Sequence, residues 1–278
     1  MSNADYIFTD DDAELERLVQ QHRIWFYDTQ LLWQRTGLRE GMTVLDVGCG
    51  PGLVSLDLAR AVGPSGRVIA VDGSEKSIRR LAEAAHKNGL DQVQTHKRDL
   101  CSPGAIKTLG IDPSSVDLVF CRWVFMYLQI ETIVQVVEEL VVLMRSGGFL
   151  AAQEYGNYLS VSMYPNGDPL RPVAEGFRAG IATPEAGLHL PGIVSRCGLT
   201  IWDEQEIVKK VHPGTEAWVW PDKFFTLHGP TLLEEGRLSR EEWDRFEHAW
   251  KAMHKDSRSI FSAWPTRQLI AKKTSGKV

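Results

Sequence analysis

The stretch VLDVGCGPG, Val44 to Gly52, sets an apolar run with one acid directly against glycines at alternate positions. TVLDV, from Thr43, reads as a buried strand, and Leu53 to Ala61 as the helix that follows. Gly48 and Gly50 lack a Cβ, so the backbone between strand and helix can take positive φ and let a ligand approach its peptide groups. Gly52 opens the helix, whose first amides carry partial positive charge. The dinucleotide fingerprint is a poor match, because its third glycine would fall at Leu53. Asp46, just ahead of the loop, would repel a pyrophosphate and suits a ligand carrying an ammonium or sulfonium charge.

Outward from this stretch the pattern alternates. RVIAVD from Arg67 is the second strand, and Ser74 caps a helix with Ile78, Leu81, Ala82 and Ala85 on its apolar face, ending at Asn88 and Gly89. VQTHKRD from Val93 and VDLVFCRW from Val116 are the third and fourth strands; a helix from Ile130 to Met144 leads into the fifth, FLAAQEY. Strict alternation implies right-handed crossovers and a parallel sheet with helices on both faces. Before the first strand, Asp10 to Gln34 reads as one or two amphipathic helices burying Leu15, Leu18, Val19, His22 and Trp25 or Phe26. After Tyr155 the rhythm breaks. Tyr158 to Pro191 is too long for a plain connection and reads as a functional insertion of loop and short helices. A helix over Leu190 to Cys197, a strand over Leu199 to Val208, a mostly helical Pro213 to Trp250 and a closing strand in SIFSAWPTRQLIAKK complete the pattern.

The 278 residues, 43% of them hydrophobic, suffice for one large domain with its own core. Lys and Arg total 31 against 36 Asp and Glu, a net charge of -5, and the basic residues are scattered, which disfavours binding to nucleic acid phosphates. Cys49, Cys101, Cys121 and Cys197 show no C-x-x-C spacing and are expected as free thiols in a reducing cytosol. No secretory leader pattern opens the chain and no apolar run suffices for a membrane span, so a cytoplasmic protein is expected. No cluster has metal-ligand spacing, and no metal is expected.

LDVGCGPG resembles the first motif of class I S-adenosylmethionine-dependent methyltransferases, and the likeness extends over about Gly41 to Glu154. The resemblance implies a Rossmann-like, doubly wound α/β fold with a seven-stranded, mostly parallel sheet, N-terminal helices and an inserted, largely helical lid in the second half. It divides one structural domain into a helical cover of the cofactor site (1–40), the cofactor-binding core (41–155) and a lid that completes the sheet (156–278). It further implies S-adenosylmethionine as cofactor, with Asp46, Gly48, Cys49 and Gly50 around its methionine end. Asp72 falls where the family's acid accepts from both ribose hydroxyls, beside Gly73 and Ser74. Asp99 falls where an acid accepts from the adenine amino group, flanked by Arg98 and Leu100. Cys121 and Arg122 follow at the fourth strand's end, with Trp123 next to them. ELERLVQQHR resembles the leading helix of the ubiquinone and menaquinone biosynthesis type, in which residues in the positions of Gln21 and Tyr6 help close the site.

The fourth strand's CRWVFMY lacks both the Asn/Asp-Pro-Pro-aromatic signature of amino-methylating nucleic acid enzymes and the Pro-Cys nucleophile of cytosine-carbon enzymes. The expected reaction is therefore methylation of a small aromatic or lipophilic metabolite, of the kind used in secondary metabolism, with no nucleic acid partner; a homodimer is compatible with this. Candidate catalytic residues are Glu154 and Tyr155, at the end of the fifth strand, and His189, with His212 a further base candidate. The aromatic run WVWPDKFF, Trp218 to Phe225, reads more readily as core or lid packing than as a substrate box. The same fold with non-methylating chemistry, or a non-catalytic cofactor-binding partner protein, is the alternative.

Overall fold

The computed structural model describes residues 11–274. The chain begins with one long helix, α1 (Asp12–Thr36), capped by the Asp11 carboxylate, which accepts from the Glu14 amide at 2.8 Å, and stopped by Gly37 at φ 70°. Its buried stripe is Glu14, Arg17, Gln21, Trp25, Thr29 and Leu32, while Leu15, Leu18 and Val19 are only half-buried. The sequence pattern placed the apolar residues inward. The stripe is instead polar along the first turns, because that face looks into a cavity and onto a later helix, where its charges are paired.

From α1 the chain runs β1 (Thr43–Val47), α2 (Leu53–Val62), β2 (Arg67–Asp72), α3 (Glu75–Lys87), β3 (Val93–Lys97), β4 (Val116–Arg122), α4 (Ile130–Leu143) and β5 (Met144–Tyr155). Val44, Leu45 and Val47 of β1 are completely buried. Side chains of this size contribute about 1.5–3 kcal/mol each when removed from water, which fixes β1 as a central strand. The remaining elements are β6 (Ser162–Tyr164), α5 (Leu170–Ala179), α6 (Ala186–Arg196), β7 (Thr200–Ile207), β8 (Lys210–Val211), α7 (Val219–Glu234), α8 (Arg240–Met253), β9 (Ile260–Ser262) and β10 (Thr266–Lys272).

The main sheet has 7 strands in the order β3-β2-β1-β4-β5-β10-β7. β1 to β5 pair in parallel, and β10 lies antiparallel to both β5 and β7. The chain grows outward from β1 to β3 and then returns to β4 on the other side of β1, leaving a crevice over the carboxyl ends of β1 and β4. Because β10 is antiparallel, it starts at that same edge: Thr266 pairs with Tyr155, the last residue of β5. The residues just before β10 are thereby carried to the mouth of the crevice.

The second half differs from its sequence pattern in two places. The closing segment is two strands, not one: β9 joins β6 and β8 in a separate 3-stranded antiparallel sheet, and β10 enters the main sheet after Ala263-Trp264-Pro265. The helix expected from Leu190 starts at Ala186 and contains Pro191. Gly187, four residues before that proline, lies so close to β5 that a Cβ there would sit 2.7 Å from the Tyr155 carbonyl oxygen. Trp218 just before α7, Trp220 and Phe225 in α7, and Phe246 and Trp250 in α8 are buried, and Trp218 stacks on Trp250 at 4.6 Å. Most of the WVWPDKFF run is therefore packing. Among the described residues no helix is long and apolar enough to cross a membrane.

Candidate active site

A cavity of about 600 Å³ lies over the carboxyl edge of β1 and β4. One end is built from strand tips. Gly48 (φ 66°) and Gly50 (φ 52°) turn the chain away from β1, with the Gly48 and Cys49 amides donating to the Val71 carbonyl at 2.8 and 3.0 Å. A Cβ on Gly48 would meet a Val124 methyl at 2.3 Å, so the loop is seated against the turn after β4 as tightly as glycine allows. Asp72 holds the same loop from the next strand: its carboxylate accepts from the Gly50 amide and from the Ser74 amide, each at 2.8 Å.

Asp46, Gly48, Cys49, Gly50, Asp72, Gly73, Ser74, Asp99 and Leu100 all line the cavity, as do Gln21 and Arg122. Asp46 is 2% exposed and accepts from the Ser55 hydroxyl at 2.5 Å. Burial pushes its carboxyl up to about 7 against the pull of Ser55 and Arg122, with Asp72 adding to the rise. Asp99 is exposed and accepts from the Cys101 amide at 2.9 Å. Arg122 spans from its strand to α1, donating to the Thr29 hydroxyl at 3.3 Å and to His22 Nδ1 at 3.2 Å; His22 Nε2 lies 2.9 Å from the Asp57 carboxylate. That arrangement fits a neutral imidazole accepting at Nδ1 and donating at Nε2, which orients the guanidinium toward the cavity wall. Burial, with Asp46 and Asp72 nearby, drives the Cys49 thiol well above its ordinary range, so it is no nucleophile.

Five expected site residues lie elsewhere, and Tyr6 falls outside the described residues. Arg98 turns outward and donates to Lys97 and Thr108. Cys121 is completely buried among core residues on the sheet face opposite Phe120, as strand alternation demands. His189 is exposed on α6 and His212 is exposed beside β8, neither lining the cavity. Glu154 is completely buried and does not line it either. Its Oε1 accepts from the Val124 and Phe125 amides at 2.7 and 2.8 Å, clamping the turn in which Trp123 takes φ 54°. Burial raises Glu154 from 4.5 to about 7, so the stability it adds is present at acid pH and is lost as pH climbs through that value. It is a structural clamp.

The far end of the cavity is walled by Trp123, Tyr155, Tyr158, Phe224 and Trp264. Of these, Tyr155 and Trp123 were anticipated; Tyr158, Phe224 and Trp264 come from the insertion, α7 and the residue pair before β10. Glu14 and Arg17 also line the cavity from α1. Arg17 donates from Nε and Nη2 to Glu14 at 2.7 and 2.6 Å and from Nη1 to Gln21 at 2.7 Å, and His228 of α7 lies 3.1 Å from Glu14. Their i, i+3 and i, i+4 spacing was visible in the sequence, but a charged cluster on a helix more often faces water, and nothing local marks this one as buried.

Residues 44–148 match the methyltransferase domain family. An uncharacterized methyltransferase of Schizosaccharomyces pombe is 26% identical over 236 residues, 78% of this chain and 80% of that protein. A 23S rRNA uracil C5-methyltransferase of Acinetobacter baylyi is 48% identical over 63 residues, 23% of this chain, and the chain spans only 14% of that enzyme's length. In structure, Haemonchus contortus phosphoethanolamine N-methyltransferase 2 in complex with S-adenosyl-L-methionine superposes with a TM-score of 0.54 at 17% identity, over 90% of this chain and 53% of that one. The matched segment runs from β1 into β5, and the likeness to solved S-adenosylmethionine-dependent methyltransferases is one of fold.

The residues present fit S-adenosylmethionine: a loop of positive-φ glycines lining the cavity, and carboxylates on consecutive strand tips. With Asp46 titrating near 7, S-adenosylhomocysteine, whose amino group is cationic, should bind more tightly as pH rises from about 6 to 8, by up to about tenfold per unit below the pKa. Calorimetric titration across that range checks this, and Asp46→Asn should flatten the dependence.

Proposed function

We propose that this chain is an S-adenosylmethionine-dependent methyltransferase acting on a small, largely apolar metabolite. The observation that carries the reading is the two-ended cavity: acids on successive strand tips and a glycine loop at one end, aromatic walls from the second half of the chain at the other. In this reading Asp72 accepts from the ribose hydroxyls, Asp99 and Leu100 meet the adenine, and Asp46, Gln21 and Arg122 hold the amino acid end. Residues 1–40 cover the cofactor, residues 41–155 bind it and residues 156–278 form the lid and acceptor wall. The likeness of α1 to the ubiquinone and menaquinone type supports a small acceptor over a macromolecule, as does the walling of the cavity by Phe224 and Trp264.

The cofactor supplies an activated methyl group on a positively charged sulfur. The chain's own work is to align the acceptor with that methyl and exclude water, an effect worth several kcal/mol without any proton transfer. Trp123, Tyr155, Tyr158, Phe224 and Trp264 do the excluding; Glu154 holds the turn that carries Trp123. Incubation with methyl-labelled S-adenosylmethionine and a panel of small lipophilic amines, phenols and acids should yield one labelled product with release of S-adenosylhomocysteine. Label entering only RNA or polypeptide overturns the reading.

A further inference from the structure

The acceptor end of the cavity has a chemistry of its own. Tyr155, Tyr158 and Trp264 form a triangle of rings with centroids 5.6 Å (Tyr155 to Tyr158), 5.6 Å (Tyr158 to Trp264) and 6.3 Å (Tyr155 to Trp264) apart, and interplanar angles of 83°, 41° and 49°. All three line the cavity. A flat acceptor needs two parallel walls with room between them. The nearly parallel pair here, Trp123 and Tyr155 at 27°, has centroids only 5.9 Å apart, so its rings already pack on each other. Mutually tilted rings make a poor slot and a good seat for a compact, rounded group.

Charge points the same way. The two flanking rings already carry cations: the Arg122 guanidinium lies 5.0 Å from the Trp123 centroid and that of Arg17 lies 5.7 Å from Phe224. Arg17 is neutralised by Glu14, so the end of the chamber nearest the triangle carries no net charge from that pair. Among the described residues no histidine lines the cavity, and the Glu14 carboxylate is committed to Arg17. Burial holds both tyrosine hydroxyls protonated. Among the described residues walling this end, none takes a proton from a phenol or alcohol, the carboxylates of Asp46, Asp72 and Asp99 lying at the strand-tip end, so the acceptor atom attacks without one being removed first.

We propose, resting on the methyltransferase reading, that the acceptor is an uncharged amine on a small lipophilic body, whose methylated, cationic nitrogen is seated by Tyr155, Tyr158 and Trp264. The amine lone pair forms the N–CH3 bond as the S–CH3 bond breaks; sulfur keeps the bonding pair and becomes a neutral thioether, and the positive charge passes to nitrogen. A primary or secondary amine then releases a proton to water, and a tertiary amine stays cationic. Ring faces stabilise such a desolvated cation through their negative quadrupole.

The test uses the full chain saturated with S-adenosylhomocysteine and titrated by calorimetry with choline or with its uncharged isostere, 3,3-dimethylbutan-1-ol. Choline should bind about tenfold more tightly. Tyr158→Phe, which keeps the ring, should retain this preference, and Tyr158→Leu should reduce it several-fold. Equal affinities, a preference for the alcohol, or no choline binding overturns the inference alone. Failure to bind S-adenosylhomocysteine overturns the methyltransferase reading, and this inference with it.

Discussion

Asp72→Ala is expected to weaken S-adenosylhomocysteine binding by about 100-fold or more. Hydrogen bonds to a charged acceptor contribute about 1.5–3 kcal/mol each, so losing two from the ribose hydroxyls costs at least about 3 kcal/mol. The side chain also holds the cradle, since it accepts from the amides of Gly50 and Ser74 on either side of the ligand's proposed position. Asp72→Asn keeps one carbonyl oxygen for those contacts and should lose less. Calorimetry on both variants, with circular dichroism confirming the fold, measures this; undiminished affinity in a folded Asp72→Ala protein means the ribose does not lie there.

The largest effect on stability is expected at Glu14. Its carboxylate and the Arg17 guanidinium are 2% and 4% exposed, with His228 behind them at 4%. Burial alone would raise Glu14, but the hydrogen bonds and charges of Arg17 and His228 outweigh it and hold the carboxyl below its ordinary value. Removing one member of a buried pair strands the other charge away from water, at about 3–5 kcal/mol. Glu14→Ala should therefore lower the melting temperature by about 10 °C, at about 2–4 °C per kcal/mol for a chain of this size. Replacing both partners, Glu14→Met with Arg17→Met, leaves no stranded charge and should recover most of that loss. A double variant no more stable than Glu14→Ala would show that the pair contributes more than mutual neutralisation. The contact joins α1 to α7 across the cavity mouth, so the same variants should also weaken acceptor binding.

The cofactor half was readable because its signals are local. A strand ending in Gly48-Cys49-Gly50 states its own conformation, and acids at the ends of consecutive strands inherit their placement from the parallel sheet. The same logic misplaced Arg98 and Cys121. Proximity in sequence to a strand tip says nothing of which way a side chain turns, and strand alternation sends Cys121 into the core while a neighbouring turn captures Arg98. Glu154 looked catalytic because it lies at the end of β5 on the active edge; it is buried outside the cavity lining, with Oε1 held by two amides of the turn after β4. His189 was attractive as a base by residue type alone, and α6 turns it to solvent.

By itself, the sequence determined the order of strands and helices through β5, the bare-backbone loop and the carboxylates that follow it, because periodicity, capping and glycine placement act over a few residues. Only the tertiary structure decided which residues wall the aromatic end of the cavity. Tyr158, Phe224 and Trp264 come from three separate segments brought together by the antiparallel entry of β10 and the packing of α7 on α1. The tertiary structure also turned the charged face of α1 inward, since burying Glu14 and Arg17 is tolerable only when each neutralises the other, and that pairing becomes visible once both side chains have left water.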